Sequence, residues 1–245
     1  MNIVKKYRSR NKKSYVLLFS ILFLCIFLLT SLFVVKDSYD LYRINAAKSF
    51  YGDYDVKYTT FAYTQNKEYT DTYLDSLSYE TPLPYAYKGT FDSLVSTTNF
   101  SVYPIRLIEG EYPKSNEVLI HKKYRNKYKV QDTIKLYSDQ KSKEYTISGV
   151  YENLNNQLVN YSFYTATNSK KDAMYVYANL KDKSAIATLP VQDYELNSDM
   201  VVAKYHLNVE YENIFKFLIL FMSVCCFLFV YSVLSVHLKK KKSFY

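Results

Sequence analysis

The sequence predicts an α+β fold in which two transmembrane helices flank a β-rich domain lying outside the cytoplasm. Three observations predict it. Near each end of the 245-residue chain there is a long run without a full charge, and basic residues crowd the outer flank of each run. Between the runs, apolar and polar residues alternate over several short stretches.

The first run, Ser14 to Val35, holds about 22 residues, which at a rise of roughly 1.5 Å each crosses a hydrocarbon core of about 30 Å. Ahead of it stand Lys5, Lys6, Arg8, Arg10, Lys12 and Lys13, with no acid among them. Lys and Arg beside a span collect on the cytoplasmic side, so this terminus is expected inside. A signal peptide also begins with a basic segment, but its apolar run is only about 7–15 residues and ends in a small-residue cleavage site. Ser31-Leu-Phe-Val-Val-Lys36 offers no such site, so the run reads as a retained span. The second run, Phe217 to Leu238, is followed at once by Lys239, Lys240, Lys241 and Lys242, which mark a second cytoplasmic exit. Lys216 at its other border can carry its ammonium to the headgroups on a long aliphatic stem. The expected organisation is a cell-membrane protein with both termini in the cytoplasm. It has a basic tail at 1–13, spans at 14–35 and 214–238, an extracytoplasmic domain at 36–213 and a second basic tail at 239–245.

Charge follows this division. Of the 32 Lys and Arg, 21 lie in the outer segment, against all 23 acids, so the net +9 of the chain belongs to its two tips. Nucleic-acid binding needs a basic face on a folded domain and is excluded as an expectation. Cys25, Cys225 and Cys226 all lie in the spans, which leaves the outer segment no disulfide framework. Two vicinal thiols in an apolar helix without His or acid nearby read as packing residues.

Within the outer segment, Lys36 to Phe50 has helical spacing at Tyr39, Tyr42, Ala46 and Ala47, and Gly52 is a helix-stop residue. Tyr54 to Tyr58 alternates as a strand. Tyr69, Tyr73, Leu74 and Leu77 predict a second helix over 69–79, broken by Pro82 and Pro84. Phe100 to Ile108 reads as a strand in which Pro104 argues for an edge, with a turn at Gly110 and Pro113. Glu117 to His121 is a short strand.

Lys122 to Lys129 places Tyr124 and Tyr128 on one face of a helical turn among five basic residues. This cluster either contacts anionic wall polymer or lipid headgroups, or is a solvated turn whose tyrosines pack down; charge runs usually face water. Thr133 to Tyr137 and Lys143 to Tyr151 form a hairpin through Ser138 to Ser142, with Tyr145, Ile147 and Gly149 sharing a face. Asn153 to Lys171 has no clear period, Ala173 to Leu180 reads as a strand, and Val201 to Val209 as a strand returning toward the membrane.

Chemistry is mostly excluded. The four glycines form no phosphate loop and no G-K-S or G-K-T occurs, so ATP must be handled by another chain. His121, His206 and His237 lack partners at zinc-site spacing, and there is no G-x-S-x-G elbow. No catalytic residue, cofactor or metal ligand is expected, and the chain is not expected to be an enzyme. The 29 tyrosines could make a surface that stacks on sugars or grips peptides, or could fill the half-buried faces of strands; their even spread favours the latter.

Several stretches resemble the amino-terminal part of an FtsX-like permease of the MacB type, the membrane subunit of certain ABC transporters. Tyr51-Gly-Asp-Tyr-Asp-Val-Lys-Tyr58, with Gly52, is similar to that family's first strand after the opening helix. Arg106-Leu-Ile-Glu-Gly-Glu-Tyr-Pro113, containing Gly110 and Pro113, precedes Asn116-Glu117-Val-Leu-Ile120 and resembles its "G-R-x-P … N-E-hydrophobic" signature. Lys129-Val-Gln-Asp-Thr-Ile134, with Asp132, resembles its "l-G-D-x-i" turn, except that Gln131 stands where the family has Gly. Glu144-Tyr-Thr-Ile-Ser-Gly149-Val-Tyr151 resembles its "f-x-I-v-G-v" strand.

The resemblance implies an extracytoplasmic domain similar to the MacB periplasmic core domain, a separate cytoplasmic ATPase partner, contact with membrane lipid, and a homodimer or pairing with a second permease half. Movements of the outer domain would be driven by ATP hydrolysis elsewhere, with antimicrobial peptides or lipoproteins and lipids as the substrate class. Family members continue into a coupling helix and two further spans. Because this chain stops at Tyr245, the expectation is a truncated product, half of a split permease, or a descendant that has lost transport. The competing expectation is a stand-alone two-span sensor, immunity or structural protein. A polysaccharide chain-length regulator shares the layout, but the absence of proline after Pro190 and of glycine after Gly149 argues against it.

Overall fold

The computed structural model describes residues 12–65, 72–90, 92–138, 141–155, 161–189 and 194–242. They divide into two compact units, residues 12–42 with 208–242 and the described residues of 43–207.

Both apolar runs are helical. Helices α1 (Lys12–Tyr51) and α5 (Val209–Lys242) are long and apolar enough to cross a membrane, with mean hydropathy of 2.4 and 2.6 over their most apolar windows. Ser20 donates to the Val16 carbonyl at 2.9 Å and Ser223 to the Ile219 carbonyl at 2.7 Å, so these two hydroxyls are satisfied within their own helices. Beyond the apolar run, the Lys36 ammonium lies 2.8 Å from Asp40 and 3.4 Å from Glu212, and the Tyr39 and Tyr211 rings are 5.0 Å apart. The stretch at 36–50, expected as a short helix, is the last part of the unbroken α1. It stops where expected, at Gly52, whose φ of +101° and closeness to the Val102 carbonyl leave no room for a Cβ.

In the larger unit, the strands are β1 (Val56–Thr59), β2 (Leu74–Ala86), β3 (Ser93–Thr97), β4 (Ile105–Gly110) and β5 (Glu117–His121). They continue as β6 (Thr133–Tyr137), β7 (Ser142–Asn153), β8 (Phe163–Ala166), β9 (Tyr175–Leu180) and β10 (Tyr194–Leu196). These described strands form one sheet in the order β10-β1-β9-β2-β3-β8-β5-β7-β4, and β6 pairs with β7 and with Ala86 of β2. Pairing is antiparallel except for β3 with β8 and β5 with β7. Short helices α2 (Thr60–Gln65), α3 (Ser184–Ala187) and α4 (Ser198–Lys204) complete the unit. One apolar cluster joins Val56, Tyr58, Ala178 and Val201; a second joins Leu94, Ile120, Ile134, Ile147 and Phe163. A third, between them in content, is built on Tyr103, Tyr151, Tyr164 and Tyr177. The fold is therefore α+β, with two apolar helices flanking a large mixed sheet.

Four expectations are corrected. Of the helix predicted over 69–79, Thr72 and Tyr73 are helical, but from Leu74 onward the stretch is strand β2; residues 69–71 lie outside the described residues. A bulge between Asp75 and Ser78, with Ser76 at φ +51°, inserts residues between Leu74 and Leu77 and so imitates a helical spacing. Pro82 and Pro84 do not end the element. Pairing with β9 stops at Glu80, so both prolines fall where β2 has only β3 beside it, Pro84 within a second irregularity. Phe100 to Val102 is a 3-10 turn capped by Asn99, whose side chain accepts from the Ser101 N–H at 3.0 Å; the strand begins at Ile105 and lies at the sheet edge. Val201 to Val209 is not a strand. Asn197 caps α4, accepting from the Met200 N–H at 3.3 Å, and burial of Met200, Val201 and Ala203 overrides the β propensity of the valines.

The β6–β7 hairpin, β5 and β9 stand close to where the sequence predicts them. In β7 an irregularity against β5 skips Ser148, so Tyr145, Ile147 and Val150, not Gly149, share the core face.

Candidate functional site

The residues singled out by the family resemblance hold turns. Gly110, at φ +79°, stands directly opposite Gly149 in the β4–β7 register. A Cβ on Gly149 would come within 2.7 Å of the Glu109 carbonyl and 2.9 Å of the Glu111 carbonyl, and one on Gly110 would collide with the Ser148 carbonyl. Pro113 follows this crossing. Asn116 takes φ +65°, a conformation Asn tolerates better than most residues, and Glu117 accepts the Lys114 N–H at 2.8 Å. Asp132 accepts the Lys129 N–H at 2.7 Å, and the Ile147 N–H donates to the Asp132 carbonyl at 2.8 Å, which docks that turn on β7. Gln131, the departure from the family pattern, has φ +78°: the backbone keeps the conformation suited to Gly although the side chain is not Gly. Gly52 lies apart from this group, at the end of α1. Lys239, Lys240, Lys241 and Lys242 fall in the last turn of α5.

Two acids act as clasps. Asp55, fully buried, accepts the Leu180 N–H at 2.8 Å, the Lys204 ammonium at 2.7 Å and the Tyr205 hydroxyl at 2.9 Å, tying β1, β9 and α4 together. Asp92 accepts from Lys123, from Tyr124 and from Ser162, the last at 2.5 Å. Partial burial pushes its carboxyl pKa up, but the Lys123 ammonium and the two hydroxyls outweigh that and bring it down to about 2. In the basic turn at 122–129, Tyr124 and Tyr128 pack against the core. His121 Nδ1 accepts the Lys123 N–H at 3.3 Å.

The arrangement that sequence reasoning missed centres on Glu80. This side chain is 2% exposed, and three phenols donate to it: Tyr177 at 2.6 Å and Tyr103 at 2.7 Å to Oε2, and Tyr161 at 2.8 Å to Oε1. Burial first, and the Glu80 charge second, push the pKa of each of these phenols up and hold them as donors. Burial also lifts neighbouring Tyr54, to about 12. Glu80 forms no salt bridge among the described residues. It lines a cavity of about 320 Å³ whose walls include Tyr54, Tyr161, Tyr175 and Tyr177, with Lys57 and Glu195 also lining it. The Lys57 ammonium lies 4.5 Å from the Tyr175 ring centre, 5.7 Å from that of Tyr177, and 3.4 Å from Glu195. The partners of Glu80 are 23, 81 and 97 residues away in sequence, so no local motif announces them.

No protein-family model matches the chain, and no curated protein matches it. Among solved structures it is similar to a crystallised domain of a Porphyromonas gingivalis protein assigned as a permease. Identity is 13% and the TM-score 0.34; the match takes in 46% of this chain and spans 60% of that one.

Proposed function

We propose that the chain is a permease-type membrane subunit of an ABC transporter, of the FtsX-like, MacB-type kind, whose ATP is hydrolysed by a separate cytoplasmic subunit. The observation that carries the reading is the convergence of the resemblance motifs. Gly110, Pro113, Asn116, Glu117, Asp132 and Gly149, drawn from three separate stretches, gather around β4, β5 and β7 as one set of turns. Gln131, where the resemblance has Gly, takes the left-handed backbone that favours glycine. Two apolar helices flanking the sheet domain fit the same layout. In this reading both termini are cytoplasmic and the sheet domain is extracytoplasmic. The chain works as a homodimer or with a second permease half, and its outer domain moves peptide, lipoprotein or lipid substrates without a reaction centre of its own.

The test is purification of the tagged chain from its native membranes in a mild detergent, followed by assay of ATP hydrolysis and identification of the bound partner. An ATPase subunit in roughly equal amount is expected. A chain that purifies alone, with no ATPase at any detergent strength, would favour the stand-alone sensor or immunity protein.

A further inference from the structure

We infer that the tyrosine-walled cavity over Glu80 is a binding site for an organic ammonium group, seated between the Glu80 carboxylate and the ring faces of Tyr175 and Tyr177. The inference stands on the cavity alone and does not depend on a partner ATPase.

The chemistry of the walls selects the ligand. A carboxylate with its charge in a water-poor setting is costly unless paired, and Glu80 has only neutral donors. Phenols remain neutral here, so they orient the carboxylate without cancelling its charge. Two carboxylate oxygens offer about four acceptor sites, and three are taken, two on Oε2 and one on Oε1. Oε1 therefore has room for one more donor. The cavity that Glu80 lines is walled largely by tyrosines, whose ring faces attract a cation through the ring quadrupole. A hard metal ion would want about six or more oxygen ligands, and only one buried carboxylate is present. A neutral sugar could stack on the tyrosines but would leave the Glu80 charge unanswered.

The chain itself shows an ammonium on this wall. Lys57 Nζ lies over Tyr175 and Tyr177 and pairs with Glu195, which is 68% exposed along its side chain. Lys57 therefore covers part of the aromatic surface and adds a like charge beside any incoming cation. It acts as an internal competitor whose removal sharpens the site.

The experiment titrates the full chain, in an uncharged maltoside detergent free of choline headgroups, with choline, with ethanolamine and with dimethylbutanol, the neutral carbon isostere of choline. Tyrosine fluorescence and calorimetry give the affinity. Choline or ethanolamine is expected to bind saturably, and their ranking tells a quaternary from a primary ammonium source. Lys57→Met should bind about tenfold tighter, Tyr175→Leu should bind several-fold weaker, and Glu80→Gln should lose about tenfold or more. Near-ultraviolet circular dichroism reports the fold of each variant; should Glu80→Gln not fold, Lys57→Met and Tyr175→Leu still decide. Binding of the neutral isostere as tightly as choline overturns the inference. So does an absence of saturable binding in both the natural chain and Lys57→Met, or binding by a folded Glu80→Gln chain that matches the natural one.

Discussion

Replacing glycines by alanine at three positions separates two costs that the β4–β7 crossing combines. At Gly89, φ is +74° with no atom within 4 Å of a Cβ, so Gly89→Ala meets backbone strain alone. At Gly149 φ is ordinary, but the Cβ would sit 2.7 and 2.9 Å from two carbonyl oxygens. Those oxygens belong to the backbone of 109–111 and cannot rotate aside. At Gly110 both apply, since φ is +79° and the Ser148 carbonyl stands in the way. Left-handed backbone costs an L-residue roughly 1–2 kcal/mol, and overpacking roughly 1–3 kcal/mol. Alanine returns roughly 0.4–1 kcal/mol by restricting the unfolded chain. The expected losses are about 0.5–1 kcal/mol for Gly89→Ala, about 1–2 for Gly149→Ala and about 3 for Gly110→Ala. For a domain of this size each kcal/mol moves Tm by roughly 2–4 °C, so the order is measurable by thermal unfolding of the detergent-solubilised chain, followed by near-ultraviolet circular dichroism. A Gly110→Ala chain no less stable than Gly89→Ala would refute the close crossing.

Three further outcomes are expected. Gln131→Gly should raise stability by about 0.5–1 kcal/mol, because relief of left-handed strain exceeds the added freedom of the unfolded glycine; a fall in Tm would show that the Gln131 side chain is needed. Asp92, whose carboxyl is lowered from 3.8 to about 2, contributes stability that is complete above the unfolded value and lost as the pH falls through about 2. Asp92→Asn should therefore cost on the order of 1 kcal/mol at neutral pH, given screening at its partly open rim, and flatten the acid limb of the unfolding curve; an unchanged limb would assign acid unfolding to other carboxylates. Deleting Lys239 to Lys242 should loosen or invert the second span by weakening its inside signal, and a cysteine-accessibility map with unchanged topology would count against the charge argument.

What could be read from the chain depended on whether each signal was local. Ser14 to Val35 and Phe217 to Leu238 are visible as helices because a charge-free run needs no partner to be recognised. Strand β6 is visible because it alternates between a buried and a wet face from Thr133 to Tyr137. Strand β8 hides in an aperiodic stretch: Phe163, Tyr164 and Thr165 are all buried, so no alternation survives. The bulge after Asp75 turns a strand into an apparent helix, and the Asn197 cap turns a valine-rich apparent strand into a helix. The turn at Gly110 and Pro113 is legible because glycine and proline announce it locally. The Glu80 cavity was not, since its four polar groups come from β2, β9, the chain before β4 and the chain before β8.

The place of β1 in the sheet also bears on how the domain comes into being. β1 is flanked on one side by β9 and on the other by β10, with Val56 opposite both Ala178 and Leu196. A chain made from its amino terminus thus lays down this strand first and pairs it last. The hairpins β2–β3 and β6–β7 can close as soon as their second strands appear, whereas β1 waits for almost the entire domain before β9 and β10 arrive beside it. Assembly of the sheet is consequently gated by arrival of residues 175–196, and a pause in synthesis before them leaves an open edge that another chain can occupy.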